Sequence, residues 1–335
     1  MHRMQHLTYF FHLSDFALKA NIEQSIPALY ETLCGVRVTL TGDPVSPEDA
    51  TLIIMNHRTR FDWLFIFSYI IRCGPLRRFK ISLKEVLKNV PGPGWAMQCA
   101  GYIFLHRKWE SDQKTILRCL TYFRKLNYKP QILLFPEGTD LTPNTKARSD
   151  KFAEKMGLEK YDYVLHPRTT GFAFLVQKMR DIISLDSILD VTIAYPKNIP
   201  QTEKDILNGN FPTEVHFYIH GHSAKEVPDD KEGIEEWCQK RWKDKENLLE
   251  NYYTDGKKFK ASPVRKELCK DEKEIQKLFV FAHIFWTIFQ ALVIVFMIYA
   301  PILRWFSLFS CITFVLISKY GGIDALLDTE ASELR

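Results

Sequence analysis

An α/β domain with a membrane-spanning helix or hairpin near its C-terminal end is the fold this sequence predicts, on two observations. Between residues 36 and 222, short β-rich apolar runs alternate with stretches of helical periodicity. Further on, residues 278–300 run for 23 positions without a charge. The alternation marks a sheet flanked by helices, with chemistry carried on the loops after the strands. The charge-free run exceeds the roughly 20 residues a helix needs to cross a bilayer.

Taken in order, residues 1–35 mix Tyr9, Phe10, Phe11 and Phe16 with His, Asp, Lys and Glu. They hold no long apolar run, which predicts an amphipathic, membrane-associated segment and no signal peptide. Strands are expected at 36–41, 51–55, 102–105, 131–135, 191–194 and 214–220, and helices at 61–71, 113–126 and 170–179. Residues 233–253 form a further amphipathic helix with Ile234, Trp237, Cys238, Trp242, Leu248, Leu249 and Tyr252 on its apolar side. Asp229 or Asp230 caps it. The domain so bounded covers 36–255, and a basic linker at 256–277 joins it to the membrane segment at 278–318. Within that segment Pro301 and Arg304 interrupt, and residues 305–317 add 13 more apolar or small polar positions. That piece is short for a span and reads as re-entrant, interfacial, or the return leg of a hairpin. A tail at 319–335 follows.

The net charge of +5 over 335 residues is too small to mark a nucleic-acid-binding protein. Its distribution is more informative: Asn56 to Glu110 holds ten Lys or Arg against three Asp or Glu. A basic stretch inside a folded domain suits an anionic substrate such as a phosphate-bearing lipid, or forms a solvated face. The seven cysteines are dispersed without a CxxC, which argues against a disulfide framework and against structural zinc. No Asn-x-Ser/Thr acceptor occurs. Lys257, Lys258, Lys260, Arg265, Lys266, Lys270, Lys273 and Lys277 precede the span, so by the positive-inside rule that side, and the main domain with it, faces the cytosol.

Four constellations carry chemistry. Asn56-His57-Arg58-Thr59-Arg60-Phe61-Asp62 follows the strand at 51–55. An Asp five residues after a His, in the first helical turn, brings carboxylate to imidazole and fixes the ring's tautomer. The other ring nitrogen is then able to take a proton from a substrate hydroxyl. Phe135-Pro136-Glu137-Gly138-Thr139 follows the strand at 131–135 and puts a carboxylate and a glycine in a post-strand loop. Gly101 to Arg107 ends an apolar strand on a guanidinium fork suited to phosphate. Lys80, Lys84 and Lys88, spaced at four, fall on one helical face that binds phosphate or is merely solvated. His166-Pro167-Arg168-Thr169-Thr170-Gly171 is a proline-fixed turn opening a helix whose N–H groups face an anion. Glu214, His216, Tyr218, His220 and His222 alternate on one strand, but residues on one strand face point outward in parallel, so no metal site is expected. No G-x-S-x-G elbow supports a serine nucleophile.

Together these blocks, IIMNHRTRFDW, VPGPGWAMQCAGYIFLHRKW, LLFPEGTDLT and YVLHPRTTGF, resemble the glycerophospholipid acyltransferase superfamily, with its N-H-x4-D, Gly…Phe…Arg, F-P-E-G-T and Pro-containing fourth block in that order. The nearest likeness is to its lysocardiolipin-type branch, over roughly residues 36–220. The resemblance implies a mixed sheet flanked by helices. It implies an acyl-CoA:lysophospholipid acyltransferase, with acyl-CoA as co-substrate and no cofactor, acting on lysocardiolipin, lysophosphatidylinositol or lysophosphatidylglycerol. His57 is then the base and Asp62 its orienter. Arg107, Glu137 and Gly138, with Thr139 and Arg168, form the acceptor's phosphate site. Arg58, Arg60, Lys80, Lys84 and Lys88 are further phosphate or CoA contacts. The endoplasmic reticulum is the membrane implied. Alternatives are a lysophosphatidic acid acyltransferase, a CoA-independent transacylase and a catalytically silent lipid-binding protein. The chain departs from the family at Asp140, where many members carry Arg and where Arg168 or Arg148 is expected to supply the charge. The resemblance also implies a hydrophobic span ahead of the domain, which residues 1–35 are not expected to form.

Overall fold

Seven strands form one sheet in the computed structural model, which describes residues 24–44, 46–260 and 269–322. They are β1 (Arg37–Gly42), β2 (Thr51–Met55), β3 (Phe79–Lys84), β4 (Ile103–Leu105), β5 (Gln131–Leu134), β6 (Ser187–Ala194) and β7 (Glu214–Ser223), in the order β1-β7-β6-β2-β5-β3-β4. Every neighbouring pair is parallel except β6 with β7. β2 is buried at all five positions, as expected of a strand covered on both faces, and its TLIIM run is correspondingly apolar.

Helices α1 (Asp62–Cys73), α2 (Pro93–Cys99), α3 (Trp109–Lys125), α4 (Pro143–Met156), α5 (Thr169–Ile183), α6 (Glu203–Leu207) and α7 (Lys231–Thr254) connect the strands or cover the sheet. Because side chains alternate along a strand, the apolar core divides in two. Ile53, Met55, Ile81 and Leu133 pack with α1 residues such as Phe65, Phe67 and Ile70. Leu52, Ile54 and Ile132 pack with Ile116 and Leu120 of α3, Phe172 and Val176 of α5, and Trp242 of α7.

Some elements depart from the expectations. Lys80 and Lys84 lie on strand β3 and Lys88 in a short 3-10 turn, not on a helix. The reason is the period-two pattern Phe79-x-Ile81-x-Leu83, whose apolar side faces the core; positions four apart share a face in a strand as they do in a helix. α4 was not anticipated, although Thr142 caps it reciprocally with Thr145 and Gly157 ends it at φ 66°. Pro301 starts a helix instead of interrupting one: α9 runs unbroken from Pro301 to Lys319, with proline at a first-turn position where its missing N–H costs nothing.

α8 (Glu272–Tyr299) begins before the charge-free run, and its base is part of the domain, with Ile275, Phe279 and Ala282 buried. Arg72 at the end of α1 clamps this base by pairing with both Glu31 and Glu272 at 2.7 Å. Beside it Cys73 and Cys269, 196 residues apart in sequence, form a disulfide. That pairing was not expected from scattered cysteines, because only the docking of α8 against α1 brings the two together. The far end of α9 also returns to the domain: Trp95 stacks on Phe314 with ring centroids 4.9 Å apart, and its Nε1 donates to Ser318 Oγ at 3.2 Å. α8 and α9 therefore form a hairpin with both free ends on the domain. Both are long and apolar enough to cross a membrane. Of the expected amphipathic segment at 1–35, residues 1–23 lie outside the described residues. Residues 24–33 are helical, and Tyr30 is buried against α1. Residues 261–268 of the basic linker and 323–335 of the tail likewise lie outside them.

Candidate active site

The site assembles at the carboxyl ends of β2, β4, β5 and β6, where loops from parallel strands converge. His57 leaves the end of β2 and Asp62 opens α1, so the single turn between them faces ring and carboxylate. His57 Nδ1 lies 3.0 Å from Asp62 Oδ2. The Asp62 side chain is fully buried, and that of His57 is 16% exposed. The same Oδ2 accepts from the Thr59 backbone N–H at 3.0 Å, and Oδ1 accepts from the Tyr195 hydroxyl at 2.5 Å. Burial, then the Asp62 charge, push the Tyr195 hydroxyl well above its ordinary pKa, so it stays a donor. The imidazole stacks on Phe135 at 4.2 Å and lines a cavity of about 1310 Å³. Nδ1 faces Asp62, and no described residue hydrogen-bonds Nε2. That nitrogen is the one able to take a proton from a bound hydroxyl.

Cations rim the cavity. Arg107, Arg168, Lys84 and Arg60 line it together with Gly138. Arg107 adopts φ 63° and donates from Nη2 to the Gly138 carbonyl. Gly138 itself sits at φ 73°, where a Cβ would meet the Arg168 Nε at 3.3 Å, so glycine lets the guanidinium approach the backbone. Burial, and then Arg168, lower the Arg107 pKa; burial, and then Arg107, lower that of Lys84. Such crowding of like charges is relieved by an anion. Asp140 also lines the cavity, 3.9 Å from Arg60 Nε, and Arg60 pairs with Glu203 at 2.8 Å. Arg148 is exposed on α4, with Arg107 feeling its charge.

Several expected contacts lie elsewhere. Glu137 does not face the cavity: it is 3% exposed, and its Oε1 accepts from the His57 backbone N–H and from Trp242 Nε1, both at 3.2 Å. It braces the histidine loop against α7, and burial pushes its carboxyl up to about 7 against the opposing pull of His57. Thr139 hydrogen-bonds the Asp140 carboxylate and is not among the cavity residues. Lys80 is buried and donates to the carbonyls of Arg77 and Ala100, since its strand face turns inward. Lys88 donates to the Gly321 carbonyl at the end of the hairpin, and Arg58 to that of Leu141 at 3.3 Å. Neither Tyr195 nor Trp242 stood out in the sequence as a site residue. Tyr195 directly follows β6, which lies beside β2 in the sheet, and only that strand order brings it to Asp62. On β7, His216 is held by the Tyr252 hydroxyl at 2.9 Å, a packing role.

The acyltransferase family model matches residues 37–196, and an acyltransferase C-terminus model matches 205–286. Lysocardiolipin acyltransferase 1 from Mus musculus is 45% identical over 302 residues, covering 89% of this chain and 80% of its own. The chain belongs to the acyltransferase family. Lysophosphatidylinositol acyltransferase 10 from Caenorhabditis elegans is 38% identical over 317 residues, covering 92% of this acyltransferase and 81% of the relative. The crystal structure of the 1-acyl-sn-glycerophosphate acyltransferase from Thermotoga maritima aligns with a TM-score of 0.49 at 16% identity, covering 73% of this chain and 88% of that one.

Proposed function

We propose that this acyltransferase moves a fatty acyl group from acyl-CoA to the free hydroxyl of an anionic lysophospholipid of the lysocardiolipin, lysophosphatidylinositol or lysophosphatidylglycerol type. The observation that carries this reading is the His57–Asp62–Tyr195 chain at the cation-rimmed mouth of a large apolar cavity. His57 Nε2 removes the hydroxyl proton as the oxygen attacks the thioester carbonyl. Asp62 stabilises the imidazolium, the tetrahedral intermediate collapses, and the CoA thiolate leaves with the proton returned from His57. Arg107, Arg168 and the Gly138 backbone hold the acceptor's phosphate, and Lys84 and Arg60 contact phosphate of either substrate. The names of the mouse and nematode relatives support an anionic acceptor. The lysines flanking the start of α8 support a cytosolic face for the domain. Family resemblance supports the endoplasmic reticulum.

The test is release of free CoA thiol from oleoyl-CoA by membranes carrying the protein, offered a panel of lysophospholipids. Release is expected with anionic acceptors and should fall about 10²–10⁴-fold in His57→Ala. Preference for lysophosphatidic acid would select that alternative. No release with any acceptor from folded protein would defeat the reading.

A further inference from the structure

The cavity continues well past His57. At about 1310 Å³ it exceeds the roughly 300–1,000 Å³ of a pocket for one small ligand. It also wraps over the carboxyl edge of the sheet and reaches both halves of the core. On one face it is lined by Leu83, Leu87 and Met97, which pack against the α1 half, and is closed by Trp95 stacked on Phe314 of α9. On the other it is lined by Leu105, Ile116, Leu134 and Phe172, all from the half under α3 and α5. Apolar linings from the two halves of the core thus lie to either side of one base, matching a reaction in which two acyl chains must lie near one hydroxyl.

We propose that these two linings form two arms, that the arm walled by α9 takes the acceptor's own acyl chain directly from the bilayer, and that the arm under α3 and α5 takes the donor chain. The assignment rests on the lysophospholipid reading above. Its physical basis is the difference between the two walls. Phe314 sits on a membrane-length helix with no buried residue, so this arm adjoins lipid. The opposite arm ends on Ile116, Ile132 and Phe172, which are buried in the domain. A lysophospholipid is already embedded in the bilayer and can slide its chain past Trp95 and Phe314 without crossing water. Acyl-CoA carries a polyanionic head held in the aqueous phase, and its chain enters beside the rim of Lys84, Arg107 and Arg168.

One obstructing variant in each arm separates the assignments. Ala96 on α2 lines the first arm, and Ala96→Phe narrows it. Gly171 lines the second; a Cβ there meets no atom within 4 Å, so Gly171→Leu adds bulk without a backbone clash. Full-length protein in membranes is assayed with lauroyl and oleoyl forms of lysophosphatidylglycerol and of acyl-CoA. Ala96→Phe should lower kcat/KM for the oleoyl relative to the lauroyl acceptor at least about tenfold, with the acyl-CoA profile unchanged. Gly171→Leu should do the reverse. Exchanged effects, or equal loss on both substrates in both variants, overturn the proposal. If either variant misfolds, Phe314→Ala, on the exposed wall, should alter the acceptor-chain profile alone; an unaltered acceptor profile counts against the arm. Wild-type protein that transfers no acyl group refutes the underlying reaction instead, a different result from any of these.

Discussion

Asp62 carries three hydrogen bonds with no water-exposed side-chain surface, and each fixes a different degree of freedom. The Thr59 N–H pins the turn, the His57 ring takes its tautomer, and Tyr195 holds the second oxygen so that the carboxylate plane cannot rotate. Tyr195→Phe keeps the packing and removes only that last constraint. Hydrogen bonds to charged groups contribute about 1.5–3 kcal/mol, so kcat should fall about tenfold or more with little change in KM for either substrate. Steady-state kinetics check this, and an unchanged kcat would show the hydroxyl to be incidental. Glu137 makes a prediction of opposite character. Burial raises its carboxyl from 4.5 to about 7. The stability that goes with its neutral form is therefore fully present below about 4.5 and lost as pH rises through about 7. Glu137→Gln keeps the acceptor for Trp242 and for the His57 N–H but cannot ionise. It should lose less stability than wild type between about pH 5 and about pH 8, by at most about 3 kcal/mol. Unfolding midpoints at the two pH values measure it, and equal losses would contradict it. His57 and Asp62 were legible in sequence because five residues and one turn separate them. Tyr195 was not, because its partner lies 133 residues away and only the order of strands makes them neighbours.

At the scale of elements, the strands that carry the site were legible from apolar runs, and β3 was obscured by its lysines. A lysine every fourth residue suits either geometry; the alternating Phe79, Ile81 and Leu83 decide for a strand, which places Lys80 inside and Lys84 at the cavity. α7 shows how a helix read correctly from its apolar stripe can hold a feature the stripe conceals. Lys245 is buried on it, paired with Asp190 of β6 and donating to the Val191 carbonyl at 2.6 Å. Burial lowers its pKa and Asp190 raises it. Removing one partner of a buried pair leaves an uncompensated charge, so Asp190→Asn should cost about 3–5 kcal/mol. Chemical denaturation would record it, and a loss under about 1 kcal/mol would show that Lys245 escapes to solvent or becomes neutral. Because α7 also carries Trp242, which holds Glu137, the same variant is expected to loosen the histidine loop.

For the whole molecule, the sequence read the domain and membrane segment as units joined by a basic linker. The structure makes the start of α8 part of the domain's own core. Hydropathy cannot reveal this, because Ile275 and Phe279 look the same whether they face lipid or protein. Phe279→Ala should therefore destabilise the catalytic domain by about 3–5 kcal/mol, as in any core, where a purely lipid-facing phenylalanine would cost the domain little. Thermal unfolding followed through loss of acyl transfer distinguishes the two. Arg72, Glu31 and Glu272 reinforce the junction, and a chain cut before Glu272 would lose this apolar base and expose the domain residues it covers.

The return of α9 to the domain has a kinetic consequence. With Ile275 at one end of the hairpin and Phe314 and Ser318 near the other resting on the same body, the domain has two points of attachment and little freedom to tilt or swivel. With the hairpin in a bilayer, the cavity entrance would be held at a fixed height over the lipid surface. On the proposed reaction, an enzyme so fixed would sample its acceptor by lateral diffusion and saturate with the surface density of lysolipid. Diluting the acceptor with inert lipid should slow turnover even when the number of molecules in the tube is unchanged, while adding buffer with acyl-CoA kept at constant concentration should leave it as it was.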